Sequence, residues 1–379
     1  MASSSHSHTR IAWFLLVFVY LGFDHFQSAN AAVGTLPGKF SVSATGAANY
    51  EIPLEFAPGI AGMQPELSLA YNNRSGNGTL GVGWSLTGLS AIHRCSSNLA
   101  QDGIYRGIDF SSNDRFCLDG QRLILVSGTY GAPDAEYRTE LDIFAKIVSE
   151  GTAGSGPDLF RVWTKSGRIM EFGGTADSRI EAQGRIDVMV WAVNRVSDRK
   201  GNYMTFSYDE DNANGEYRID AIHYTGNPTL SPAASVTFEY ETRPDVKPVY
   251  VGGTKTQQSQ RLLAIHAFVG TTEFKTYHFT YETAGQGSNV RSFLDSVQEC
   301  ADATECLPAT YLTWHHPANS AQFSGAISTS YSGYLADFNG DGRDDRLRIY
   351  MPVMTNGFSF EVALSNGSGF GANQRVLQS

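Results

Sequence analysis

The sequence contains no dense run of lysine or arginine. Its 28 basic residues are outnumbered by 38 acidic ones, giving a formal charge of −10. That balance excludes a general nucleic-acid binder, whose affinity rests on clustered cations. Charge is also scarce overall, at 17% of residues against 41% apolar, which excludes a wholly disordered chain. There are only four cysteines and no C-x-x-C pair, which argues against a cysteine-ligated zinc site. No long stretch repeats its apolar residues with a 3.6-residue period, and no second long apolar run follows the N-terminal one.

That first apolar run carries an export signal. Arg10 supplies a positive flank, Ile11 to Phe23 is almost purely apolar, and Ala29-Asn30-Ala31 offers small residues for cleavage. Residues 1–32 therefore read as a cleaved signal peptide. A spanning helix needs roughly 20 apolar residues, and this run has about 13. The expected location is extracellular, with the periplasm or cell surface as variants. Cys95, Cys117, Cys300 and Cys306 all lie in the exported part. An even count in an oxidising compartment implies disulfides. Of the three possible pairings, proximity favours Cys95–Cys117 and Cys300–Cys306.

What is abundant is glycine (39) and Phe plus Tyr (22 and 18), the vocabulary of turns and aromatic strands. Tyr50–Phe56 and Leu67–Tyr71 read as half-buried strands around the turn-rich PGIAGMQP. Three hairpins follow. Phe160–Thr164 and Arg168–Phe172 flank Lys165-Ser166-Gly167. Val190–Val196 and Tyr203–Tyr208 flank DRKGN, and Leu262–Val269 and Phe274–Tyr281 flank Gly270-Thr271-Thr272. The fold class is all-β, with a boundary near Pro317–Phe323.

Two strings are distinctive: Val33 to Cys95, including GVGWSL, and NDRFCLDGQRL from Asn113 to Leu123. They resemble the N-terminal domain of the SpvB (virulence-plasmid B protein) family, which also opens the B subunits of insecticidal toxin complexes and related RHS/YD-repeat proteins. The resemblance covers 33–317. Within it, 198–225 looks like one YD/RHS-type unit, and 322–379 resembles the start of an FG-GAP/VCBS-type β-propeller blade. It implies a multi-hairpin β domain followed by an incomplete blade. The implied role is a secreted structural scaffold, part of a hollow shell around a toxic cargo. Its partners would be other toxin-complex subunits or an RHS-type C-terminal partner, with neither nucleic acid nor a membrane span. The alternative is a calcium-dependent adhesin-like surface module without cargo.

One metal site is expected. In ADFNGDGRDDRL, oxygens of Asp337, Asn339, Asp341 and Asp345, with the backbone carbonyl of Arg343, can converge on calcium around Gly340 and Gly342. The rival reading is a polar turn whose Asp side chains bond the backbone. Catalytic motifs fail on inspection, and the chain is expected not to be an enzyme. Glu239-Tyr240-Glu241 matches the E-x-E of ADP-ribosyltransferases. The resemblance places that domain far C-terminal and requires a preceding Ser-Thr-Ser, whereas Ser328-Thr329-Ser330 follows. Period-2 alternation puts both glutamates on one solvent face. Gly83-Trp84-Ser85-Leu86-Thr87 lacks the closing glycine of a nucleophile elbow. GTLGVG lacks the P-loop lysine. His315 and His316, adjacent on a strand, face opposite ways.

Overall fold

The computed structural model describes residues 34–284, 290–302, 305–314, 334–336, 344–350, 359–366, 370–372 and 374–378. The chain divides into two compact units, one through Thr313 and one from Trp314. The signal-peptide segment and the proposed boundary lie outside the described residues.

In the first unit the expected hairpins form. Gly167 (φ 85°) and Gly201 (φ 84°) sit at turn positions where a β-carbon would be strained. The DRKGN turn is locked by its own aspartate. Asp198 Oδ1 accepts from the backbone N–H of Lys200 (2.7 Å) and of Asn202 (3.0 Å). The pair Gln260–Val269 and Thr272–Ala284 turns tightly, with Val269 opposite Thr272.

These hairpins belong to a larger object that local patterns do not announce. Strands Ala91–Cys95, Arg115–Leu118, Gln121–Ser127, Glu136–Thr139, Lys146–Glu150, Leu159–Trp163 and Ile169–Phe172 pair in sequence order, all antiparallel. Strand Val188–Ser197 joins the two ends. Its first half pairs with Ala91–Cys95 (Val190 opposite His93) and its second half with Ile169–Phe172 (Ile169 opposite Ser197). The result is a closed eight-stranded barrel, which leaves no free edge within the ring. Each strand sends a buried side chain inward: Ile92, Phe116, Leu123, Tyr137, Ile147, Phe160, Phe172 and Trp191. Phe116, Phe160 and Trp191 meet edge-to-face at centroid separations of 5.2–5.3 Å, a favoured aromatic geometry.

From the same long strand the sheet runs on through Tyr203–Asp211, Glu216–Gly226, Ala234–Thr242, Gln260–Val269, Thr272–Ala284, Arg291–Cys300 and Thr310–Tyr311. This open half alternates buried and partly exposed residues, as along Tyr203–Asp211 and Ala234–Thr242. A separate four-stranded sheet is ordered Lys39–Val42, Ala48–Pro53, Ser68–Asn72, Trp84–Thr87. It is tied to the open sheet by Tyr277, whose hydroxyl accepts from the Glu55 N–H at 2.8 Å and whose ring meets Phe56.

The second unit is a four-stranded antiparallel meander, Tyr334–Ala336, Asp345–Tyr350, Ser359–Ala363 and Gln374–Gln378. No helix among the described residues is long and apolar enough to cross a membrane.

Candidate functional site

A cleft of about 720 Å³ opens beside the junction of barrel and open sheet. Its walls include Asn77, Tyr208, Tyr217, Tyr240, Arg243 and Arg291. The floor is a closed polar network. Arg243 donates through Nε to Asp245 Oδ1 (2.8 Å), through Nη1 to the Gly78 carbonyl (3.0 Å) and through Nη2 to Asn77 Oδ1 (2.7 Å). Asp245 also accepts from the Ser292 N–H (2.7 Å), the Ser292 hydroxyl (2.8 Å) and Asn77 Nδ2 (2.8 Å). Burial opposes the charge on Asp245, but the hydrogen bonds from Arg243, Ser292 and Asn77 outweigh it and hold the carboxyl well below the usual range. Tyr208 and Tyr240 donate their hydroxyls to the Val193 and Ile219 carbonyls (2.8 and 2.7 Å), and burial pushes both phenols up. The cleft floor is therefore closed by hydrogen bonds among its own residues, a feature of scaffolds as much as of binding sites.

The barrel holds a second buried ion pair. Arg94 Nη1 meets Asp114 Oδ2 at 3.0 Å, with 0% and 1% of the two side chains exposed. Nε donates to the Val188 carbonyl (2.6 Å) and Nη2 to Ser155 Oγ (3.0 Å). The guanidinium lies 5.5–5.9 Å from the ring centres of Phe110, Phe116 and Trp191. Asp114 also accepts from the Asp109 and Phe110 N–H groups, so neither charge lacks partners.

Both expected disulfides are present, Cys95–Cys117 and Cys300–Cys306, and no cysteine is free among the described residues. Of the calcium set, Asp337, Asn339, Asp341 and Arg343 lie outside the described residues. Asp345 is buried and its Oδ1 accepts from the Ser365 N–H at 2.7 Å. Glu239 and Glu241 do stand on the solvent-facing side of Ala234–Thr242, and each has a cross-strand partner. Glu239 lies 3.3 Å from His266 and Glu241 lies 2.7 Å from Arg261. Trp84 is buried while Ser85 is exposed on a regular strand, so no elbow forms. His315 and His316 lie outside the described residues. Sequence reasoning missed Arg94, Asp114, Arg243, Asp245 and His266. Only Arg94 left a signal, a charge at the inward position two residues after Ile92.

Comparison with known proteins agrees with this architecture. The chain matches the model of the family "Salmonella virulence plasmid 65kDa B protein" over residues 42–231, half of its length. Curated relatives include the mono(ADP-ribosyl)transferases SpvB of Salmonella typhimurium and Salmonella dublin. Each is 25% identical over 231 residues, covering 53% of this chain and 36% of theirs. Among solved structures, TcdB2–TccC3 superposes with a TM-score of 0.65 at 15% identity, over 92% of this chain and 20% of that one. The N-terminal domain of SpvB from Salmonella typhimurium strain LT2 gives 0.53 at 16% identity, over 66% of this chain and 98% of that one.

Fold and matches together define an all-β module that shares its fold with TcdB2–TccC3. The chain belongs to the SpvB family. It spans about a third of the length of those curated relatives. One expectation is corrected here. The sequence motifs pointed away from any enzyme, yet the curated relatives carry an enzyme's name, so the chain shares its N-terminal domain with an enzyme family. A motif search within this domain could not register an activity that names the whole relative.

Proposed function

We propose that this chain is the structural module of a secreted toxin-complex-type assembly, contributing wall to a shell that encloses a polypeptide cargo. The observation that carries the reading is the closed barrel running without interruption into an open sheet of seven further strands, a continuous β surface rather than an isolated domain. Its likeness in fold to TcdB2–TccC3 over 92% of the chain supports the same reading. Two disulfides fit an oxidising destination and so support export.

The partners are other toxin-complex subunits or an RHS-type polypeptide. The meander 334–378 serves as a first FG-GAP/VCBS-type blade, and four antiparallel strands are what one blade requires. The 337–345 loop takes calcium. Its donors are hard oxygens, which suit that ion, and Asp345 is already held in place by Ser365.

Mass tests this reading. Tagged in its own organism and isolated natively, the chain runs in a particle much heavier than itself, with a second polypeptide in fixed ratio. A chain recovered alone, which binds cell surfaces only when calcium is present, supports the adhesin-like alternative instead.

A further inference from the structure

Away from the cleft, the exposed face of the open sheet carries a cluster that its hairpin role does not require. His266 on Gln260–Val269 stands between two carboxylates from neighbouring strands. Its Nδ1 lies 2.8 Å from Glu273 Oε1, and its Nε2 lies 3.3 Å from Glu239 Oε2. Glu273 is itself fixed by the Thr276 hydroxyl at 2.5 Å. His278 stands on the next strand, its ring 6.3 Å from that of His266 and edge-on to it. Phe268 stacks along the other side of His266 at 6.3 Å. The opposing residue between Glu239 and His278 is Ala264, so only a methyl group occupies the sheet surface between them.

We propose that His266, His278 and Glu239 form a surface site for a borderline divalent cation of the zinc class, with Glu273 as the residue that orients His266. Two imidazoles and a carboxylate are a ligand set for such ions. Two donors 3.3 Å apart share an ion about 2.1 Å from each at an angle close to tetrahedral, so His266 Nε2 and Glu239 Oε2 already mark one edge of the coordination shell. The Nδ1–Glu273 contact is the carboxylate–histidine arrangement that fixes a metal-bound imidazole in the tautomer with Nε2 unprotonated.

Among the described residues no three such side chains already converge on one point. To complete the set, His278 must swing its ring across Ala264 toward the His266–Glu239 edge. His278 is exposed on that face. The fourth position faces solvent. Bound there, the ion clips Ala234–Thr242, Gln260–Val269 and Thr272–Ala284 together on the outer face.

The test uses the untagged, disulfide-intact chain titrated with Zn²⁺ by calorimetry, with Co²⁺ as a visible-absorption probe. One ion per chain is expected, with the intense visible bands of four-coordinate cobalt. His266→Ala and His278→Ala should each abolish those bands, and Glu273→Gln should weaken binding by about tenfold or more while keeping them. Asp341→Ala should leave zinc binding unchanged, which separates this site from the calcium loop. All three cluster positions are partly or fully exposed, so the variants fold, as circular dichroism will verify. Absence of stoichiometric binding, or binding indifferent to His266→Ala and His278→Ala, overturns the proposal and leaves the cluster as a cross-strand ion-pair ladder.

Discussion

Arg243 and Asp245, two residues apart in sequence, form an ion pair at 2.8 Å with 1% and 0% of their side chains exposed. Asp245 in turn grips Ser292 through both backbone and hydroxyl, 47 residues away. The pair therefore joins the loop after Ala234–Thr242 to the start of Arg291–Cys300. Asp245→Asn leaves a buried guanidinium without its counter-charge. Urea unfolding should show a loss of about 3–5 kcal/mol.

The acid limb of that experiment has a defined sign. The Asp245 carboxyl is depressed in the folded state. Its stabilisation is therefore fully present above the unfolded value, about 3.9, and is lost as pH falls from there through the folded value. The wild-type and Asp245→Asn stabilities should differ most at neutral pH and converge under strong acid. Parallel curves down to the lowest pH would show that the pair is not coupled to folding.

Trp191 fills the barrel where Phe116 and Phe160 meet it, and its Nε1–H donates to the Pro157 carbonyl at 3.1 Å. Trp191→Ala removes three sets of contacts and leaves Pro157 O unpaired. The expected cost is about 3–5 kcal/mol, read from the urea midpoint with an unchanged slope.

The two disulfides differ in the loops they close, with sequence separations of 22 and 6. In the chain-entropy model they contribute about 3 and about 2 kcal/mol. Intact-mass measurement of the secreted chain should find no alkylatable thiol. Replacing Cys95 and Cys117 together by Ser should cost more stability than replacing Cys300 and Cys306.

Calcium should matter only to the second unit. Millimolar calcium should slow proteolysis beyond about residue 322, and Asp341→Ala should remove the difference, because ligand bound to the folded form stabilises it by mass action. Equal protection in calcium and in chelator would leave the loop an ordinary polar turn.

The local grammar of this fold is written in the sequence, and its closure is not. Lys165-Ser166-Gly167 and DRKGN announce hairpins because glycine and aspartate have specific work in a turn. Pairing Ile169 with Ser197 and Val190 with His93 is a long-range matter of register that no local pattern encodes. The one hint was the nearly unbroken apolar run VMVWAV in Val188–Ser197, the signature of a strand covered on both faces. The Arg243–Asp245 network was invisible for the same reason, since Asn77 and Ser292 meet it only after folding. At Glu239, alternation correctly gave a solvent-facing position, but His266 and Glu273 join it from two other strands.

The most direct test of the structural role is an electron cryomicroscopy map of the native particle that carries this chain. The account predicts that the barrel and the open sheet lie within the wall of a closed β shell, with unassigned polypeptide density inside. A map in which the chain hangs from the exterior as a separate appendage, or a preparation in which it forms no particle, would contradict it.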